Sequence, residues 1–190
     1  MMPAKLPNRC KIELLKNSFS KTPLNLSELS TLQRIILITD GTLTDILEIY
    51  LLEKMSIVKL SEEAVYLEED LPVLDLEKGS KIIKRKIFLC STVSQKKLVY
   101  AESIIVIDRL DTKFQDELIN SGKPIGKLWL ENRMETFKEI VDLSQEPAGD
   151  LAEDFKISPE EKLFSRTYRV FSQKQAIMMI TEKFPESYFV

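Results

Sequence analysis

Two side chains of opposite charge fall where apolar neighbours are expected. Residues alternate between faces in an extended segment, so in KIIKRKIFLC (81–90) Arg85 shares a face with Ile83, Ile87 and Leu89. Lys84, Lys86, Phe88 and Cys90 take the opposite face. The same alternation in AIMMITEKF groups Glu182 with Met178, Ile180 and Phe184, and in FSRTYRVF it sets Arg166 between Phe164 and Tyr168. A desolvated charge costs several kcal/mol unless it is paired or hydrogen-bonded. One reading is structural: an internal Arg85–Glu182 ion pair, or the exposed face of an edge strand. The other is a ligand pocket in which a guanidinium grips a carboxylate through two parallel hydrogen bonds, while Glu182 accepts or removes a substrate proton. Arg166 is a second inward-facing candidate for substrate binding, with a surface arginine on an edge strand as its plain alternative.

Other signals are weaker. Asp40-Gly41-Thr42-Leu43-Thr44 breaks one helix and opens the next, and the free amides of a helix N-terminus suit an anion. Pro124-Ile125-Gly126 is read as a turn between a helix and a strand, its glycine allowing close backbone approach. Trp129 and the Met178-Met179 pair are most simply core, with pocket lining as the lesser reading. The acidic run Glu62, Glu63, Glu68, Glu69, Asp70 reads as solvated surface, since it lacks the spacing of a calcium loop. The chain has no histidine, which excludes Ser-His-Asp and Cys-His nucleophiles, His-ligated zinc and imidazole acid–base chemistry. Its two cysteines, Cys10 and Cys90, form no CxxC pair, so neither a zinc cluster nor a disulfide scaffold is indicated and a reducing cytoplasm fits. No metal site is indicated by these residues.

Elements that could hold these residues follow from periodicity. A helix is expected from Ser27 through Leu29, Leu32, Ile35 and Ile36, and a second from Thr42, with Thr42 and Asp45 at capping-box spacing. Strand-like alternation begins at Met55, and KIIKRKIFLC and KLVYAESIIVID pair as a hairpin across SQKK. Asp111 caps a helix ending at Ser121-Gly122. TFKEIVDL fits helix or strand and is read as strand; QEPAGDLAEDFKISPEE is read as an acidic connector. A last hairpin joins FSRTYRVF and AIMMITEKF around SQKQ. The fold class is therefore α+β, an antiparallel sheet backed by helices, in one domain over residues 24–190 preceded by an arm over residues 1–23. With 190 residues, 44% hydrophobic and 30% charged, the chain can build a sizeable core, and a net charge of −3 gives no general attraction to nucleic acid or anionic membrane. The longest apolar run, near Ile35–Ile38, is far too short to span a bilayer.

The order LQRIILITDGTLTDILE, IKRKIFLC, YAESIIVI, GKPIGKLW, IMMITEKFP resembles the chorismate lyase-like family, including an archaeal and bacterial branch. The resemblance covers roughly residues 24–190 and is carried most by TDGTLT, PIGKLW and TEKFP in that order. It implies a ligand enclosed between an antiparallel sheet and helical flaps, and cofactor-free conversion of chorismate to 4-hydroxybenzoate and pyruvate. By the same resemblance Arg85 matches the arginine that holds the ring carboxylate and Glu182 the glutamate facing the ring hydroxyl. Leu43 and Ile125 match ligand-contacting positions. The expected partner is thus a small aromatic or cyclohexadienyl carboxylate. A related fold serves as the effector-binding domain of UTRA-type transcription regulators, which bind a small molecule without turning it over, and this is the alternative reading.

Overall fold

The computed structural model describes residues 22–190. The arm expected over residues 1–23 lies outside the described residues except for Thr22 and Pro23, and Cys10 lies outside them too. Seven antiparallel strands form one sheet: β1 (Thr22–Pro23), β2 (Met55–Tyr66), β3 (Lys81–Ser91), β4 (Lys97–Ile105), β5 (Phe137–Pro147), β6 (Lys162–Ser172) and β7 (Gln175–Pro185). Their order across the sheet is β1-β5-β6-β7-β4-β3-β2. Both expected hairpins form, β3 with β4 and β6 with β7, and β4 pairs β7, which joins them in the middle of the sheet. The β6–β7 connection is tight, with Gln173 and Lys174 at positive φ, as a turn matched to strand twist requires.

Among the described residues, five α-helices accompany the sheet: α1 (Thr31–Ile38), α2 (Leu43–Leu51), α3 (Thr112–Asn120), α4 (Ile125–Glu131) and α5 (Ala152–Phe155). Asp111 caps α3 as expected, its carboxylate accepting from the Phe114 N–H at 2.9 Å. Two boundaries differ from the sequence reading. Helix α1 starts at Ser30, whose hydroxyl accepts from the Gln33 N–H while the Gln33 side chain accepts from the Ser30 N–H. That reciprocal pair outcompetes Ser27, which sits in a short 3₁₀ turn capped by Asn25. The Thr42 hydroxyl makes no capping bond at the start of α2. The acidic connector is also more ordered than its composition suggests, since β5 runs to Pro147 and α5 follows within it.

Pro124-Ile125-Gly126 does not lead into a strand. Ile125, Leu128 and Trp129 lie on one side of α4, and the helical period in so short a run is easily mistaken for alternation. Helices α1 and α2 pack with Leu89, Val99, Phe164 and Phe184, and α3 and α4 with Ile83, Ile105, Tyr168 and Ile180, on one sheet face. The opposite face carries Phe88, Cys90 and Tyr100 against α5. The two helix pairs thus cover neighbouring parts of the face on which Arg85, Arg166 and Glu182 lie.

Candidate functional site

A void of about 660 Å3, mouth included, lies between the sheet and the N-termini of α2 and α4. Arg85, Arg166, Glu182, Leu43 and Ile125, the five site residues expected from sequence, all line it. Register explains the convergence. Arg85 of β3 pairs with Ser103 of β4, Ser103 with Ile180 of β7, and Ile180 with Tyr168 of β6. One step along, Ile87 pairs with Ala101, Ala101 with Glu182, and Glu182 with Arg166. Two adjacent rows of one face therefore carry the charges, with Ser103 and Ala101 leaving space above β4.

The Arg85–Glu182 ion pair does not form. Glu182 instead faces its direct cross-strand partner: the Arg166 Nε donates to Glu182 Oε2 at 2.6 Å, and the Tyr168 hydroxyl donates to Oε1 at 3.1 Å. Arg166 is no edge residue, because β6 lies between β5 and β7 and leaves the side chain 1% exposed. Its Nη1 donates to the Ile36 and Thr39 carbonyls, anchoring the end of α1 to the sheet. Burial opposes the charge on Arg166, but the Glu182 carboxylate beside it offsets that effect and its pKa is raised. Burial pushes the Tyr168 hydroxyl well above its ordinary value, reinforced by the neighbouring Glu182, so it remains a donor.

Arg85 is 2% exposed. Its charge is approached by Glu62, paired with it in register from β2, with Nε 3.3 Å from Oε2 but without hydrogen-bond geometry. Glu62 is thus half-buried against the guanidinium, not solvated surface as its acidic run suggested. Neither Nη1 nor Nη2 of Arg85 has an acceptor among the described residues, and burial lowers its pKa against the opposing effect of Glu62. A buried guanidinium with a free fork costs free energy that a bound carboxylate would recover. Arg166 Nη2 and Trp129 Nε1 are likewise buried donors without acceptors, on two more lining residues.

The cavity wall also carries the polar groups of Lys138, Tyr168 and Trp129, and Lys138 is the charged one that the sequence reading does not name. Lys138 on β5 is half-buried, its Nζ donating to the Asp40 and Gly41 carbonyls at 2.8 Å each. Burial lowers its pKa, and Arg166 lowers it further. The signal was present, since Lys138 alternates with Ile140, but the bulge between Ile140 and Asp142 interrupts the period along this strand. At the cavity rim Gly126 lets α4 meet the α2 cap: a Cβ there would lie 2.7 Å from Thr42 Cγ2. Glu48 of α2 accepts from Lys127 of α4, tying the two covering helices together. Among the described residues no cluster of carboxylates and thiols could hold a metal ion, and no helix is long and apolar enough to cross a membrane.

The profile of the Rv2949c-like chorismate pyruvate-lyase family matches residues 37–189. The chain belongs to this family. A chorismate pyruvate-lyase of Mycobacterium leprae is 31% identical over 160 residues, covering 82% of this chain and 75% of that protein. The fold is shared more widely. PhnF of Mycobacterium smegmatis superposes with a TM-score of 0.63 at 11% identity, over 80% of this chain and 67% of that one. The ligand-binding domain of a GntR-family transcriptional regulator from Bordetella bronchiseptica does so with 0.52 at 11% identity, over 70% and 83%. The matched region contains Arg85, Glu182, Arg166, Leu43 and Ile125, and the fold is the α+β antiparallel sheet backed by helices that the strand periods predicted.

Proposed function

We propose that the protein eliminates pyruvate from chorismate to give 4-hydroxybenzoate. The observation that carries this reading is the buried Arg85 fork, without an acceptor among the described residues, lining the same cavity as the Arg166-held carboxylate of Glu182. Arg85 would bind the ring carboxylate through Nη1 and Nη2, placing the far side of the ring near Glu182. Loss of the ether-linked enolpyruvyl group is driven by aromatisation, so the protein need only fix the substrate, receive the proton leaving the hydroxyl-bearing carbon, and stabilise charge on the departing oxygen. Glu182 is the proton acceptor in this reading; Arg166 and Tyr168 hold it in place. Leu43 and Ile125, where α2 and α4 begin, close apolar surface over the ring and exclude water.

The second reading, a binding module that performs no chemistry, is favoured by the likeness of the fold to a regulator's ligand-binding domain. Incubation of the purified protein with chorismate separates the two. The lyase reading expects equimolar pyruvate and 4-hydroxybenzoate over many turnovers. Chorismate that stays intact at any protein concentration, while 4-hydroxybenzoate binds, would leave the binding module.

A further inference from the structure

Among the described residues, three cationic side chains line the cavity, Arg85, Lys138 and Arg166, against a single lining carboxylate, Glu182. Arg85 takes one substrate carboxylate in the reading above, and the pair of Arg166 with Glu182 closes a second charge, which leaves Lys138. Its only hydrogen-bond acceptors among the described residues are two neutral carbonyls, those of Asp40 and Gly41 in the loop between α1 and α2. A carboxylate is the stronger acceptor for an ammonium group. Nearby Arg166 Nη2, fully buried, has no acceptor at all among the described residues.

These groups sit on neighbouring rows of one face. Glu182 on β7 and Arg166 on β6 lie one row to one side of Arg85 on β3, and Lys138 on β5 lies one row to the other side, paired with Val170. Four strand spacings separate the outer two backbones, about 19 Å, and both long side chains line the one cavity between them. Trp129 and Tyr168 flank the Lys138 end, with Nζ 5.6 and 5.8 Å from their ring centroids. With a ligand's ring carboxylate at Arg85 and its hydroxyl at Glu182, Arg166 and Lys138 are the cations left on the cavity wall to meet a second carboxylate.

We propose that Lys138, together with the free Nη2 of Arg166, binds the carboxylate of the departing three-carbon group, so that the site selects a dicarboxylate substrate over its monocarboxylate product. This rests on the lyase reading for the identity of the ligands and goes beyond it in naming a positioning residue and its consequence. The product loses its Lys138 contact when the carbon–oxygen bond breaks, which favours release after turnover. Lys138 would then exchange the Asp40 and Gly41 carbonyls for the ligand as substrate enters.

The test compares Lys138→Met and Lys138→Arg in a Glu182→Gln background, titrating chorismate and 4-hydroxybenzoate by calorimetry, with kcat and KM measured in the otherwise native protein. Lys138→Met is expected to weaken chorismate 10- to 50-fold and 4-hydroxybenzoate less than twofold, to raise KM in the native background, and to be partly rescued by Lys138→Arg. A strut for the 39–42 loop, by contrast, would move both ligands and the melting temperature together, and equal losses for the two ligands, or none for chorismate, overturn the proposal. Turnover with equal losses keeps the lyase and removes the role of Lys138. Selective loss without any turnover keeps that role and removes the lyase. Failure of the unsubstituted protein to bind either ligand overturns both.

Discussion

Replacing Arg85 with methionine should make the empty protein more stable and the ligand-bound protein less so. The guanidinium is 2% exposed, none of its three nitrogens has a hydrogen-bond acceptor among the described residues, and Glu62 lies 3.3 Å from Nε. Leaving a charged donor buried and unsatisfied costs about 1–3 kcal/mol, and an apolar side chain of similar length removes that cost. Against this, Glu62 loses its approach to the guanidinium, although its other oxygen keeps the ion pair with Lys59 at 2.7 Å. The net expectation is a gain of about 1–2 kcal/mol, which for a chain of this size raises Tm by roughly 2–8 °C. Binding moves the other way. Loss of hydrogen bonds to a charged partner costs about 1.5–3 kcal/mol, so 4-hydroxybenzoate should bind about 10- to 150-fold more weakly. A single thermal-denaturation series with and without 4-hydroxybenzoate reads both: at ~100-fold excess over Kd the unsubstituted protein should gain about 2.7 kcal/mol from ligand, and the variant little. A variant that melts lower than the parent when empty, yet keeps its ligand-induced shift, would refute the reasoning, because Arg85 would then be a satisfied core residue.

Further outcomes follow from other contacts. Glu182→Gln keeps the shape that Arg166 and Tyr168 grip but removes the charge, so chorismate turnover should fall at least 100-fold, with ligand affinity changing less than fivefold; undiminished kcat in stopped assays would remove Glu182 from the chemistry. Gly126→Ala places a methyl 2.7 Å from Thr42 Cγ2 and should cost about 1–3 kcal/mol in urea denaturation; Thr42→Ser, which deletes that Cγ2, should restore most of it, and a double variant no better than the single would contradict the clash. Burial pushes the Glu48 carboxyl up, but hydrogen bonds from Lys127, Lys54 and the Met55 N–H prevail and hold it at about 2, below its ordinary value of 4.5. With a folded pKa below the unfolded one, its contribution is complete above pH ~4.5 and is lost as pH falls toward 2; Glu48→Gln should flatten the urea midpoint over that window, and parallel pH profiles for parent and variant would exclude the effect.

The charged face was legible in the sequence because strand alternation is strict: Arg85, Arg166 and Glu182 each stood among apolar residues two positions away, and all three line the cavity. Which charges pair was not legible. Glu182 and Arg166 sit opposite one another only because the β6–β7 hairpin turns at Gln173 and Lys174 and then shifts register by one between Val170 and Phe171, and Glu62 meets Arg85 only through the register of β2 with β3. Both are long-range facts that a local period cannot contain. The bulge on β5 concealed Lys138, and the seven-residue length of α4 concealed a helix whose first turn carries Ile125. Capping was misjudged at Ser27 because an equally suitable Ser30 three residues on had Gln33 to complete its box.

In the lyase reading the free fork of Arg85 and the carboxylate of Glu182 share one ligand, and a crystal structure of the protein soaked with 4-hydroxybenzoate shows whether they do. The prediction is a ligand in this cavity with its carboxylate accepting from Arg85 Nη1 and Nη2 and its hydroxyl within hydrogen-bond distance of Glu182. A ligand seated elsewhere, or one whose carboxylate ignores Arg85 at saturating concentration, would contradict it.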